Sequence, residues 1–206
     1  MQSKPQTLPA GARDSPQRRQ REIEVKLRIP SAQAIGKRLR QLGFRLLHRR
    51  SFEDNLLFDT DTQALRHARC LVRLRRYGSR HVLTYKGPPA KDRFFKSRQE
   101  LETEVKNPQA VQAIFEQLGL RPVFRYHKYR TQYHHNSMDG SLEAAVDETP
   151  IGNFLELEGC RAEIDRTARQ LGFTRNDYCT ASYGTLYMEH CHQKGISPQD
   201  MIFLPQ

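Results

Sequence analysis

The sequence predicts an α+β fold: an antiparallel sheet closed into a barrel with a charged interior, flanked by amphipathic helices. Three observations predict it. Apolar and charged residues alternate in several strand-length stretches, so each such strand has two unlike faces. The charged faces carry both acids and bases, and several of those strands are apolar on the other face. Stretches of helical period lie between the strands and can cover the apolar faces from outside. A single alternating strand would read as half in water. About seven of them read better as a barrel that turns its charges inward.

Glu22-Ile23-Glu24-Val25-Lys26 opens the series and continues through Leu27, Arg28 and Ile29. Ile23, Val25, Leu27 and Ile29 form its core face; Glu22, Glu24, Lys26 and Arg28 form the other. Pro30-Ser31 starts a helix with Ile35, Leu39 and Leu42 as its stripe, and Gly43 follows its end. Residues 44–58 read as strand with a turn, and 59–69 as a polar connection. Residues 70–77 form a strand with Arg73 and Arg75 on one face. Gly78-Ser79 turns the chain into a return strand, 81–86, that carries Lys86.

Residues 98–106 alternate again, with Arg98, Glu100, Glu102 and Glu104 on one face. Asn107-Pro108 caps a second helix whose stripe is Val111, Ile114, Phe115 and Leu118. Residues 123–133 are aromatic and basic, with Lys128 and Arg130 on one face. Strand 142–148 sets Asp147 opposite Val146, and strand 154–158 sets Glu156 beside Glu158. A third helix carries Ile164, Ala168 and Leu171, and a last one, about 180–192, packs through Tyr183, Leu186 and Tyr187. Glu-x-Glu, helix, Gln-Leu-Gly recurs three times, ending at Gly43, Gly119 and Gly172. Three strands therefore carry paired carboxylates.

The chain has 206 residues, 37% hydrophobic and 28% charged, with a net charge of +11. Such a charge attracts nucleic acid, polyphosphate, nucleotides or an acidic membrane surface. No apolar run reaches the length of a membrane helix, roughly 18 residues, and the N-terminus lacks the apolar stretch of a signal peptide. Cys70, Cys160, Cys179 and Cys191 show no paired or zinc-ribbon spacing, which points to reduced thiols in a cytoplasmic protein. Residues 1–20, rich in Pro, Gln, Arg and Ser, read as a disordered basic tail, and 194–206 as a C-terminal tail.

A charged interior is tolerable only when its charges are matched by each other, by a ligand or by metal. Arginine and lysine from different strands suit a chain of phosphates. Clustered carboxylates suit a hard divalent cation such as Mg²⁺ or Mn²⁺. Together they describe metal-assisted attack on a polyphosphate. His134-His135 and His190-Cys191-His192 read as surface residues rather than metal ligands. Phe94, Phe95, Tyr126 and Tyr129, interleaved with basic residues, read as core outside the barrel.

The EIEVK stretch resembles the ExExK signature of the CYTH superfamily, the triphosphate tunnel metalloenzymes. The resemblance continues in order through LVRLR, TYKGP, RQELE, KYR, VDETPIGNFLELE and Ser182-Tyr183, over about residues 20–190, and suggests a CYTH-like domain at 21–193. It implies an eight-stranded antiparallel tunnel. It implies that Arg73, Arg75, Lys86, Lys128 and Arg130 hold a triphosphate. Glu22, Glu24, Glu156 and Glu158 would hold Mg²⁺ or Mn²⁺, with Glu100, Glu102 and Asp147 as helpers. Lys26 would orient the substrate or poise the attacking group. Residues 1–20 and 134–140 depart from the pattern.

Three functions follow. The first is a metal-dependent hydrolase of an inorganic or organic triphosphate: tripolyphosphate, ATP or thiamine triphosphate. The second is a class IV adenylate cyclase, in which a ribose hydroxyl replaces water. The third is a non-catalytic binder of polyphosphate or nucleic acid. Paired carboxylates weigh against the third, because without metal they repel phosphates. The expected setting is cytoplasmic with no membrane; oligomeric state is not fixed by the sequence.

Overall fold

A computed structural model describes residues 21–137 and 140–204. The expected N-terminal tail lies outside the described residues. Eight antiparallel strands close into a barrel: β1 (Arg21–Ile29), β2 (Arg45–Asp59), β3 (Leu71–Tyr77), β4 (Arg80–Lys86), β5 (Lys96–Glu104), β6 (Arg121–Ser137), β7 (Gly140–Thr149) and β8 (Gly152–Gly159). Their order around the barrel is β1-β5-β4-β3-β2-β6-β7-β8, with β8 paired back to β1. Closure leaves no sheet edge along the paired wall.

The register sets the lumen. Directly opposed residues share a face. Lys26 faces Glu156, Glu24 faces Glu158, and Glu22 faces Arg98. The charged series of β1, β5 and β8 therefore points inward, and their apolar series points outward. On one side the outward series is covered by α1 (Ala32–Gln41) and α4 (Arg161–Gln170). Val25, Leu27, Leu142, Val146, Leu155 and Leu157 pack there against Ile35, Leu39, Ile164 and Ala168.

Ser31 caps α1 by accepting from the Ala34 amide at 3.2 Å, and Asn107 caps α3 (Pro108–Gln117) by accepting from Ala110 at 3.0 Å. Gly43, Gly119 and Gly172, which follow α1, α3 and α4, all have positive φ (88°, 76° and 88°). That conformation suits glycine and explains the repeated Leu-Gly at each helix end.

Three expectations change. Residues 44–58 contain no turn: β2 is one strand of 15 residues, bent by register shifts at Leu46/His48, His48/Ser51 and Leu57/Phe58. Residues 59–69 are not merely a connection. They hold a single helical turn, α2 (Ala64–His67), whose amides at Leu65 and Arg66 donate to the Asp59 carboxylate at 2.8 and 2.9 Å. The α3 stripe is mostly uncovered: Ile114 and Leu118 are exposed, and Phe115 meets Phe58 at 5.0 Å. No helix among the described residues is long and apolar enough to span a membrane.

One end of the barrel is closed. α5 (Tyr183–Lys194) lies across it, and Tyr126, Ile151, Phe154, Tyr183, Leu186 and Met201 form a second core there. The chain after α5 returns to β6. The Met201 amide donates to the Arg125 carbonyl, and the His127 amide donates to the Met201 carbonyl, both at 2.9 Å.

Leu155 is fully buried between β8 and the covering helices. Truncation leaves a cavity that the barrel wall cannot collapse, so Leu155→Ala lowers unfolding free energy by about 2–5 kcal/mol. Urea denaturation measures it; a loss within about 0.5 kcal/mol contradicts this packing.

Candidate active site

The lumen places its cations in two groups. Arg73 and Arg75 on β3 share Glu102, at 3.3 and 3.5 Å. Arg73 also donates to Thr84 Oγ1 at 3.1 Å and to the Tyr126 hydroxyl at 3.3 Å. On the far side of β2, Lys128 and Arg130 on β6 both meet Asp147, at 3.0 and 2.6 Å. Asp147 is fully buried and also accepts from the Tyr183 hydroxyl at 2.7 Å. Glu53 lies between the groups, 3.4 Å from Lys128 and 3.8 Å from Arg75. Burial pushes the Glu53 carboxyl up, but Lys128, Arg130 and Arg75 outweigh it and hold its pKa at about 2.

Lys26 pairs with Glu156 at 2.7 Å, and Arg130 also reaches Glu156. Burial works against the Lys26 charge; Glu156 and Glu24 overcome it and raise its pKa. Burial likewise opposes the Glu156 charge, and Lys26 and Arg130 overcome it, so the pKa falls well below the ordinary range. Glu156 thus sits with Asp147 among the cations, and its charge also reaches Glu24 past their shared neighbour Lys26.

Those others gather elsewhere in the wall. Lys86 bridges Glu22 and Glu100 at 2.8 and 2.7 Å, while Lys96 pairs with Glu24 at 2.8 Å. Burial, a shared proton with Glu100 and the charge of Glu24 raise Glu22 to about 9. Glu100 moves the other way, to about 2, because its bond from Glu22 and the charge of Lys86 overcome burial. Glu158 faces Glu24 and is pushed up to about 7 by partial desolvation and the charges of Glu24 and Glu100. Its residue is solvent-exposed, so water screens part of that effect.

Glu22, Glu24, Glu100 and Glu158 form an all-oxygen donor set in which lysines keep Glu24 and Glu100 ionised, while burial and like charge raise Glu22 and Glu158. A divalent cation displaces protons from such a set. The residues therefore fit Mg²⁺ or Mn²⁺ by their chemistry. Among the described residues, no three His, Cys, Asp or Glu side chains already converge on a cation position. Glu24 and Glu22 would first exchange their lysine partners for metal. His134 bonds to Asn136 at 2.8 Å and His135 lies against Phe44, ring centroids 5.0 Å apart.

A profile of the CYTH domain matches residues 20–183. The chain belongs to the CYTH family. A relative from Methanocaldococcus jannaschii, named "Putative adenylate cyclase", is 27% identical over 150 residues, which cover 73% of this chain and 83% of the relative. Solved structures agree in fold. A Vibrio parahaemolyticus protein, also named as a putative adenylate cyclase, superposes with TM-score 0.71 at 19% identity, covering 82% of this chain and 98% of its own. The Hippeastrum protein HpAC1, described as having a dominant triphosphatase activity, superposes with TM-score 0.58 at 20% identity, covering 86% and 97%.

Within this CYTH barrel, several lumen residues escape the sequence reading. Glu53 and Asn55 lie in the stretch 44–58, which reads only as strand with a turn. Lys96 falls just before the expected strand. Tyr126, expected outside the barrel, shares its inward face with Lys128 and Arg130. Arg98 is on the expected charged face and proves unusual: it is 8% exposed and has no ion pair among the described residues. Its Nε, like those of Arg73 and Arg75, has no hydrogen-bond partner. A buried guanidinium without a counter-ion is costly, and an anion would lower that cost.

Two outcomes follow. Arg98→Met removes an uncompensated charge, so the ligand-free protein gains stability; a lower denaturation midpoint contradicts this. The second concerns pH. Glu22 ionises near its ordinary 4.5 in the unfolded chain but near about 9 in the fold. The native state then binds the extra proton, so stability falls as pH rises between about 5 and 8. Below that window Glu53 and Glu100 act in the opposite sense, and stability falls as pH drops towards about 2. Glu22→Gln flattens the upper slope of melting temperature against pH in metal-free buffer; an unchanged slope assigns it to other groups.

Proposed function

We propose that this protein is a divalent-cation-dependent enzyme that hydrolyses a triphosphate held in the barrel. One observation carries the reading: cations from β3, β4, β5 and β6 converge inside a closed wall, some with unsatisfied N–H groups, next to a carboxylate cluster in which Glu22 and Glu158 are raised. Membership of the CYTH family supports it.

Arg73 and Arg75 offer planar forks to phosphate oxygens, and Lys86, Lys128 and Arg130 add charge from neighbouring strands. Arg98 joins this set through its unmatched guanidinium. Asp147 fixes Lys128 and Arg130 from behind, and Tyr183 fixes Asp147. This preorganised set costs no rearrangement as charge develops on the phosphoryl oxygens. Glu22, Glu24 and Glu158 would hold Mg²⁺ or Mn²⁺, with Glu100 in support; the cation supplies Lewis-acid polarisation of the phosphates. Glu156 holds Lys26 in place rather than standing with that cluster, and Lys26 orients the end of the substrate under attack.

Adenylate cyclase chemistry is the second reading, favoured by the name of the M. jannaschii relative. The same phosphate and metal groups serve it, with a ribose hydroxyl as nucleophile. Hydrolysis asks less of the protein, since water needs no nucleoside to be held.

Incubation with tripolyphosphate, ATP and thiamine triphosphate in Mg²⁺ or Mn²⁺ tests the proposal. Hydrolysis releases inorganic phosphate from at least one of them. Cyclic AMP with little free phosphate replaces it by the cyclase reading, and no turnover of any leaves a binder. Glu24→Gln, with the fold intact by circular dichroism, lowers kcat by about 10²–10³-fold. Unchanged turnover in that variant removes Glu24 from the metal site.

A further inference from the structure

Beside the phosphate-binding groups, the open mouth of the barrel holds a cavity of about 260 Å³. Glu53, Arg75 and Glu102 line it together with His48, Tyr77, Val82 and Gln132. His48 is there because of the irregularity in β2. Glu53, Asn55 and Leu57 point inward, so strict alternation would send Ser51, Arg49 and Leu47 inward and His48 out. Between His48 and Ser51, β2 spends one more residue than β6, and His48 comes to lie opposite Gln132. Gln132 shares the inward face of Arg130, so the bulge turns His48 to the lumen side. There its ring meets that of Tyr77 edge to face, centroids 6.1 Å apart.

Two aromatic rings, a valine and a neutral amide stand there among the carboxylates of Glu53, Glu102 and Glu104. Arg80, at the rim, is committed to Glu104 through two bonds of 3.1 and 3.3 Å. The cavity is therefore unsuited to a further phosphate. It suits a flat, neutral group with hydrogen-bonding edges, joined to a phosphate chain that continues past Arg75. Its volume is near the lower end for small-molecule pockets, about 300 Å³, which matches one ring system and little more.

We propose that His48, Tyr77 and Gln132 form a specificity pocket for a heteroaromatic ring carried by an organic triphosphate, with Tyr77 or His48 stacking on the ring and Gln132 reading its edge. The inference rests on the triphosphate site proposed above and holds for hydrolysis and cyclisation alike. It makes the substrate an organic triphosphate rather than tripolyphosphate.

The test is equilibrium binding to the full chain by calorimetry, in Ca²⁺, with tripolyphosphate, thiamine triphosphate and the four common ribonucleoside triphosphates as probes. At least one organic probe binds at least about tenfold more tightly than tripolyphosphate. His48→Ala and Tyr77→Ala each abolish that excess while the tripolyphosphate affinity stays within about twofold. Gln132→Leu changes the ranking among the organic probes. An organic preference absent from the wild type, or variants that weaken tripolyphosphate equally, overturns the pocket. Failure of every probe, tripolyphosphate included, overturns the triphosphate site itself.

Discussion

Charge matching inside a closed wall is the constraint on which the rest of the structure depends. A barrel of this size cannot fill its lumen with lysine, arginine and glutamate unless each head group finds a partner. The register supplies those partners. Lys26 stands opposite Glu156, and Glu24 beside Lys96, because β1 pairs with β8 on one side and β5 on the other. A one-residue slip of β1 would send all its charges into the apolar layer beneath α1 and α4. The outer core thus holds the inner charges in register.

The matching is nevertheless incomplete, and its two defects have opposite sign. Arg98 has no ion pair, and guanidinium N–H groups of Arg73 and Arg75 have no acceptor. At Glu22 and Glu158, burial and neighbouring carboxylates outweigh the nearby cations and favour the protonated form. A substrate anion would relieve the first defect and a divalent cation the second; under the proposed function, a metal-bound triphosphate would relieve both at once. The closed end, with Tyr126, Phe154 and Tyr183, keeps water from screening these interactions from behind.

Much of this was legible in the sequence because alternation is a local property. The strands carrying Glu22, Glu24, Arg73, Arg75, Lys86, Lys128 and Glu156 announce their faces within a few residues. Glycine marks the helix ends for the same reason. What stayed hidden depends on pairing. The register shifts of β2 interrupt its alternation, so the sequence of 44–58 does not reveal that Glu53 and His48 face inward. Tyr126 is aromatic in an apolar neighbourhood, and only its pairing with Asn55 shows that it faces inward. The α3 stripe was legible as a helix face, but its lack of cover was not, since cover is a property of distant chain. Likewise Glu156 and Glu158 look equivalent in FLELE. Lys26 and Arg130 claim the first and leave the second with Glu24.

The central claim is that the two defects in charge matching are the two halves of one ligand site. Crystals grown with Mn²⁺ and tripolyphosphate, with diffraction recorded at the manganese absorption edge, test it most directly. The account predicts an anomalous peak bounded by Glu22, Glu24 and Glu158, and phosphate density against Arg73, Arg75 and Arg98 in the same lumen. Manganese or phosphate bound only on the outer surface, with the lumen pairs intact, would contradict it.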